Sequence, residues 1–509
     1  IKKIFFIIGV IHLKYILGLD IGTSAVKALL MDQNGEIKAE NSEEYPLYTP
    51  NPGWAEQNPD DWWQASKKVI KDLIEKNKID NKKIEAISLS GQMHSSVFLD
   101  ENMEVIRPAI LWSDTRTSAE CNEIYDSVGG VKELADLVSN PALEGFTAPK
   151  ILWLRNNEVD NFKKLKKVLL PKDYIRYKLS GELGMDLSDA AGTLLCDVKA
   201  EDWSKEMMKK LELNISIMPP VLKSIDIVGT VTTTAAEKTG LSTFTKVIGG
   251  GADNACGAVG SGIIKSGRVM ASLGSSGVVV AQTDQAEADP EGRIHLFNHA
   301  VPDSYYMMGV ILSAGMSFKW LKEKMFNDEI NFKQLNNEAE AVEAGSEGLI
   351  FLPYLYGERT PHADADARGV FFGISGKHKR GHFIRSVMEG VSFGLRDSLE
   401  LIRARGVEIE DIRLIGGGAK SELWQQITAD IFGEPISLLN IEQGPAFGAA
   451  IIAGVGAGIF SDFESIVEEL VDIIKTVEPI KENAKKYNIN YEIYQKLYSD
   501  LKLRFKDLK

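Results

Sequence analysis

Three glycines, Gly249-Gly250-Gly251, separate the apolar strand end Val247-Ile248 from Ala252-Asp253-Asn254. Glycine lets the chain turn tightly there, which puts a carboxylate and an amide just past a strand end. Open α/β sheets hold ligands at that edge. A carboxylate so placed can accept a proton from a hydroxyl while an electrophile arrives in line. The competing reading is structural, with Asp253 capping a helix that begins at Ala255.

A second acidic turn lies near the start of the chain. A strand over Tyr15–Asp20 runs into Ile21-Gly22-Thr23-Ser24, and a second strand follows over Val26–Met31 before the hairpin signal Asn34-Gly35. Backbone amides and the hydroxyls of Thr23 and Ser24 suit phosphate oxygens. An acid beside such a loop makes sense if a divalent cation sits between them. Otherwise Asp20 only caps its own turn. The plan repeats much later: a strand over Gly267–Leu273, the turn Gly274-Ser275-Ser276-Gly277, and a returning strand over Val278–Gln282. Two such hairpins half a chain apart suggest two related domains that face each other.

Other polar clusters follow strands. Ser90-Gly91-Gln92-Met93-His94 comes after Ala86–Leu89, and Trp112, Asp114 and Arg116 come after Ala109–Leu111. His94 can donate to a sugar oxygen or serve as a structural histidine. Trp112 offers an aromatic face to a sugar ring or belongs to the core, and Asp114 accepts hydroxyls or pairs with Arg116. The segment Leu414–Ser421 carries Gly416-Gly417-Gly418 before a helix, whose first amides could face a ribose or phosphate. Neither a G-x-G-x-x-G run nor a G-x-x-x-x-G-K-[ST] loop is present. A kinase built from this sequence must hold nucleotide by another device.

The elements that position these groups alternate between strand and helix, which is an α/β pattern. Amphipathic stretches predict helices over Trp62–Asn77, Lys132–Val138 and Arg385–Arg405, the last with Val387, Val391, Leu395, Leu399 and Ile402 on one face. Glu422–Phe432 and Pro445–Ala457 also read as helices. The second of these is rich in Gly and Ala and should pack closely on a neighbour. The expected organisation is an extension over 1–14, an N-terminal domain over 15–260, a C-terminal domain over 261–460, and a charged, mostly helical C-terminal appendage over 461–509.

Bulk properties narrow the function classes. The 509 residues are 44% hydrophobic and 26% charged, with a net charge of −14. A net negative surface argues against nucleic-acid and anionic-membrane partners. The cysteines Cys121, Cys196 and Cys256 fit no zinc or disulfide spacing, so a reduced, cytoplasmic setting is expected. The apolar run Ile4–Val10 is too short to span a bilayer.

From about Tyr15 to Ile459 the chain resembles the FGGY family of carbohydrate kinases. The resemblance rests on Gly18–Ser24, Gly53–Pro59, Gly91–His94, Ile110–Asp114, Pro353–Pro361 and Ile415–Ser421. It implies two ribonuclease-H-like domains, of the kind shared with actin and heat-shock chaperones, around an interdomain cleft. It implies MgATP and a small sugar as ligands, and a homodimer as the assembly. Asp253 would be the general base, and Asp20 would lie near the metal and the transferred phosphoryl group. Met93, His94, Trp112 and Asn254 would line the sugar pocket. Thr23, Gly274 and Ser275 would touch the nucleotide phosphates, with Gly315, Lys319 and Gly418 around the adenosine. Trp320 is either a core residue or an adenine-stacking face.

Met93-His94 stands where glycerol-phosphorylating members carry an Arg-Glu pair, which argues against glycerol. The matching stretches are most similar to members that act on D-xylulose, which the resemblance implies as acceptor. Ser95, where many members have Gly, would narrow the pocket and keeps gluconate, with ribulose or a related polyol, as the alternative. A non-catalytic nucleotide switch of the actin or chaperone type is a more distant alternative.

Overall fold

The computed structural model describes residues 13–326, 330–441 and 444–508. Nearly all of the expected extension, residues 1–12, lies outside the described residues. The first sheet is built from β1 (Tyr15–Ile21), β2 (Ala25–Asp32), β3 (Ile37–Glu44), β4 (Ile84–Gly91), β5 (Ile227–Thr230), β6 (Lys246–Ile248) and β7 (Gly251–Ala252). Its order is β5-β6-β4-β1-β2-β3, with β7 continuing beside β4. β1 and β4 are parallel, and β1, β2 and β3 run antiparallel.

The second sheet repeats the plan with β8 (Arg268–Leu273), β9 (Gly277–Thr283), β10 (His295–Asn298), β11 (Tyr305–Ile311), β12 (Asp411–Ile415), β13 (Ile436–Leu439) and β14 (Ile473–Val477). Its order is β10-β11-β9-β8-β12-β13-β14. Again three antiparallel strands lead into a parallel pair, β8 with β12. The two predicted glycine hairpins are the β1–β2 and β8–β9 pairs, at equivalent places in the two sheets.

Side chains alternate across a strand, and β1 shows what that does here. Leu17, Leu19 and Ile21 enter a core with Trp62, Val69 and Leu73 of α1 (Pro59–Lys76) and with Ile175 of α3 (Pro171–Ser180), the helix that follows α2 (Thr147–Asn157). Ile16, Gly18 and Asp20 face the other way, toward the rest of the molecule. Four further helices matter below: α4 (Leu187–Ala191), α5 (Asp253–Gly260), α6 (Gly315–Trp320) and α7 (Arg380–Ala404). They are followed by α8 (Glu422–Phe432), α9 (Pro445–Gly456) and α10 (Lys481–Lys506).

The Gly/Ala-rich helix packs as its composition predicts. α9 lies against β1 of the first sheet and against α5. A Cβ on Gly18 would overlap the Ala446 carbonyl, and one on Gly448 would overlap the Cys256 carbonyl. Through α5 and α9 a continuous apolar core joins the two sheets.

The segment 461–509 departs from its description as an appendage. It includes a helix over Phe463–Leu470 and the long α10, but also the edge strand β14, paired antiparallel with β13. α10 buries Tyr487, Tyr491, Tyr494 and Tyr498 against the second lobe. Their hydroxyls end on polar partners: Tyr487 on Glu389 at 2.8 Å, Tyr491 on Asp397 at 2.6 Å and Tyr498 on Asp364 at 2.8 Å. Spaced among charges, these tyrosines hide an apolar stripe that a reading by charge takes for a solvated face. Among the described residues no helix is long and apolar enough to cross a membrane.

Gly448→Ala should destabilise the protein by roughly 1–3 kcal/mol, the cost of overpacking a close contact. A denaturant midpoint unchanged from wild type would contradict the α5–α9 contact.

Candidate functional site

The register of three neighbouring strands builds the first half of the site. Asp20 of β1 pairs with Ser90 of β4, and Ser90 with Gly251 of β7. One residue further, Ile21, Gly91 and Ala252 are level. Asp253 therefore leaves the sheet at the strand ends, beside the turn that follows Asp20. The approach depends on Gly250, which has a φ of 87° and where a Cβ would overlap the Leu89 carbonyl.

Asp253 is the first residue of α5 rather than its cap: Ala252 is the N-cap, and no side chain caps the helix. The Asp253 Oδ1 accepts from Asn254, backbone N at 2.8 Å and Nδ2 at 3.1 Å. Burial pushes its carboxyl up to about 7, with repulsion from Asp20 adding to the shift and the Asn254 hydrogen bonds opposing it. Asp20 is itself 7% exposed. Burial pushes it up to about 6, against the Ser90 hydroxyl and Lys27. Its Oδ1 is buried without a hydrogen-bond partner. An orphaned carboxylate oxygen beside a second acid fits a bound cation.

Asn254 links the acid to the predicted sugar loop. Its Nδ2 donates to Met93 Sδ at 3.5 Å, and Tyr306 of the second lobe donates its hydroxyl to the same sulfur at 3.8 Å. His94, next in the chain, has a φ of 66°. Its carbonyl accepts from Thr147 Oγ1 at 2.9 Å and from the buried Lys150 Nζ at 3.0 Å, both on α2. Its ring lies 4.4 Å from Phe146 and 6.1 Å from Phe297 of β10.

His94 Nδ1 is 2.5 Å from the Gly192 carbonyl. A carbonyl only accepts, so Nδ1 carries the proton and Nε2 is left as an acceptor. Burial lowers the ring to about 3 and keeps it neutral. In this tautomer Nε2 can only accept, the reverse of the donor role expected from the sequence.

Trp112 is 40% exposed rather than buried in the core. Its Nε1 donates to Thr23 Oγ1 at 2.9 Å, which ties the aromatic face to the first glycine hairpin. Asp114 is 1% exposed. It accepts from Ala55 N at 2.6 Å and pairs with Arg116 at 2.6 Å, so it braces the loop. Ser95 is also spent internally: its hydroxyl donates to Gln92 Oε1 at 3.0 Å and accepts from Trp112 N at 3.0 Å. It supports the loop from behind and does not narrow a pocket.

The remaining predicted residues gather in the second lobe. A cavity of about 750 Å³ is lined by Gly274, Ser275, Gly315, Lys319 and Gly418 together. α6 starts on the glycine hairpin, with Gly315 N donating to the Gly274 carbonyl at 2.8 Å and Met316 N to the Ser275 carbonyl at 3.0 Å. A Cβ on Gly315 would sit 2.6 Å from the Gly274 carbonyl, so only glycine fits. Thr23 is not among these linings and stays with Trp112. Tyr356 and Ser421, from the family-like stretches Pro353–Pro361 and Ile415–Ser421, line it as well, and the sequence reading missed Asn336 and Trp424. These two lie outside any glycine motif and reach the wall only through the fold. Trp320 lines the same cavity.

A second cavity of about 510 Å³ shares Gly417 and Lys420 with the first. It reaches Gly260 and Ser261 at the far end of α5, the helix that Asp253 begins.

Two domain models cover the chain in this order. Residues 15–260 match the N-terminal domain of the FGGY family of carbohydrate kinases, and residues 269–457 match its C-terminal domain. This chain belongs to the FGGY family of carbohydrate kinases. Xylulose kinase of Bacillus subtilis (strain 168) is 44% identical over 490 residues, covering 96% of this chain and 98% of that protein. Two solved structures from Lactobacillus acidophilus are alike in fold. The ligand-bound xylulose kinase has a TM-score of 0.93 at 30% identity, covering 97% of this chain and all of that one. The gluconate kinase has a TM-score of 0.93 at 30% identity, covering 98% and 100%. The FGGY backbone is thus shared by kinases named for a ketose and for a sugar acid, and the choice between acceptors falls on side chains.

The His94 ring should stay in its neutral, Nδ1-protonated form from pH 5 to pH 8. Nitrogen-15 NMR of the imidazole reads this directly, and a protonation step in that range would contradict the buried geometry.

Proposed function

We propose that this FGGY kinase transfers the γ-phosphoryl group of ATP to the terminal hydroxyl of D-xylulose, giving D-xylulose 5-phosphate and ADP. The observation that carries the reading is Asp253: a carboxylate held near neutrality at the strand ends, tied through Asn254 to the Met93-His94 loop. A group poised near pH 7 is suited to general-base work. The 44% identical xylulose kinase supports the choice of ketose.

In this reading Asp253 takes the proton from the terminal hydroxyl. That oxygen bonds to the γ-phosphorus as the bond to the β–γ bridging oxygen breaks and ADP leaves. Asn254 holds the carboxylate's other contacts in place. His94 Nε2 accepts a hydrogen bond from a sugar hydroxyl, and Trp112 covers the ring or chain of the sugar. Ser275 and the amides around Gly274 and Gly315 hold the phosphates, while Lys319 and Gly418 border the adenosine. Thr23 meets the phosphates from the first lobe. Asp20 would hold Mg²⁺, which neutralises charge on the phosphates when bound. Positioning and electrostatics supply most of the rate. The reaction is placed in the cytoplasm, and the assembly suggested by the family is a homodimer. A sedimentation mass of a single chain would set the dimer aside.

Asp253→Ala should lower kcat by at least about 10²-fold, the low end of general-base effects. Near-normal turnover would remove Asp253 from the role. For the wild type, kcat/KM for the sugar at low MgATP should fall on the acid side with an apparent pKa near 7, because the base works only when deprotonated. An acid limb near pH 4 would mean that another group sets the rate.

ADP release across a sugar panel tests the acceptor. D-xylulose should exceed gluconate and ribulose in kcat/KM by at least about tenfold, the effect of ~1.4 kcal/mol in transition-state binding. A rate with gluconate equal to that with D-xylulose would overturn the ketose assignment. Sugar-independent ATP binding with no turnover would return the protein to the class of nucleotide switches.

A further inference from the structure

We propose that Lys172 is a positioning residue for phosphoryl transfer: one buried ammonium, clamped by three carboxylates, fixes both the Asp253 turn and the His94 ring. Lys172 lies in the first turn of α3 and is fully buried. Its Nζ sits 2.7 Å from Asp173, 2.8 Å from Asp189 and in contact with Asp186. Arg176, one turn on, pairs with Asp173 at 3.1 Å. Every side chain in these pairs is 0% exposed. The three carboxylates have the mutual spacing of a metal site, their ligand atoms within 4.8 Å of one another. Here an ammonium fills the middle.

Five buried charges are costly to desolvate, and well-packed apolar side chains often serve stability as well or better. What apolar side chains would not supply is the pair of connections that leave this cluster. The first runs to the base. Asp186 caps α4, accepting from Ser188 N at 3.1 Å and from the Ser188 hydroxyl. Ser188 Oγ then accepts from Ala252 N at 2.9 Å, and Ala252 is bonded directly to Asp253. Arg176 seconds this by donating to the Gly249 carbonyl at 2.6 Å, at the start of the same turn.

The second connection runs to the sugar loop. α4 ends at Gly192, whose carbonyl accepts from His94 Nδ1 and so selects the tautomer that leaves Nε2 as an acceptor. A five-residue helix pinned at its start by Asp186 and Asp189 thus sets the spacing between base and acceptor. Three carboxylates face two cations, and burial pushes Asp189 well above the usual carboxylate range, with Lys172 opposing and Asp186 and Asp173 adding to the shift.

The inference rests on Asp253 acting as the base, and the test separates the two. Ser188→Ala removes only the hydroxyl between Asp186 and Ala252, leaving the ion cluster intact. Lys172→Met removes the ammonium and keeps the stem. In the full chain, Ser188→Ala should lower kcat about tenfold and raise the KM for D-xylulose, while the KM for ATP stays within twofold, because the nucleotide cavity lies in the other lobe. Lys172→Met should show the same split with larger losses. If Lys172→Met does not fold, Ser188→Ala decides.

Wild-type kcat and sugar KM in folded Ser188→Ala would overturn the proposal. So would equal rises in the KM for sugar and ATP, the mark of general loosening. Asp253→Ala is assayed alongside. An inactive Asp253→Ala with a fully active Ser188→Ala sinks the positioning role alone, whereas an active Asp253→Ala sinks the base assignment itself.

Discussion

Two acids that repel each other stand at the centre of this fold. Asp20 and Asp253 lie at the ends of strands in one sheet, and each is pushed up, to about 6 and about 7. Their unfolded counterparts would ionise near 3.8, so the folded chain binds more protons than the unfolded chain between those limits. The sign follows directly: as pH rises from 4 through 7, the ionisation of these two groups draws stability away from the native state. A site that held them only loosely would let them part. The surroundings prevent this. Gly250 lets Asp253 approach, the Asp20–Ser90–Gly251 register fixes the heights, and the Lys172 cluster braces the turn from behind. A bound cation beside the orphaned Asp20 oxygen would relieve the repulsion, which makes ligand binding and stability parts of one balance.

The two lobes are less separate in space than along the chain. α9 comes late in the sequence, yet it packs on β1 of the first sheet and against α5. A Cβ on Gly448 would meet the Cys256 carbonyl, one on Gly456 the Ile225 carbonyl and one on Gly454 the Phe460 ring. Contacts of backbone on backbone leave no slack, so α5 and α9 are packed without room for an added methyl group. α5 carries Asp253 at one end and touches the second cavity, beside the Gly416–Gly418 loop, at the other. Asp253 is thus mounted on the part of the structure that both lobes share.

Local pattern disclosed the parts of this arrangement that glycine and strand periodicity control. The two hairpins, the Asp253 turn and the close packing of Pro445–Gly456 were all legible, because each depends on neighbours in the sequence. The Lys172 cluster was not. Lys, Asp and Arg are ordinarily surface residues, and nothing local shows that residues 172–176, 186–189 and 249–252 meet. The bonds of Trp112 and Ser95 are hidden for a related reason. Sequence leaves Trp112 open between a sugar face and the core, and only the long-range bond to Thr23 draws it outward, while Gln92 and the Trp112 amide occupy the Ser95 hydroxyl. The tyrosines of α10 went unseen because their burial depends on acids more than ninety residues away, Glu389 and Asp397.

Acceptor choice is the question the backbone leaves to chemistry, since ketose and sugar-acid kinases match it equally well. A neutral His94 with a free Nε2 lone pair rewards a hydroxyl and repels a carboxylate, which brings lone pairs of its own. Asn254 and Met93 add no positive charge. Lys150, beside the His94 loop, is already committed to the carbonyls of His94 and Gly145. A sugar acid would therefore have to draw on Arg359, which reaches toward Gly145 from the second lobe and already depresses the His94 ring electrostatically. Uncharged polyols need no such partner. The tautomer that the Gly192 carbonyl imposes on His94 thus carries a consequence beyond its own hydrogen bond: it weights the pocket toward acceptors that present hydroxyls where gluconate presents charge.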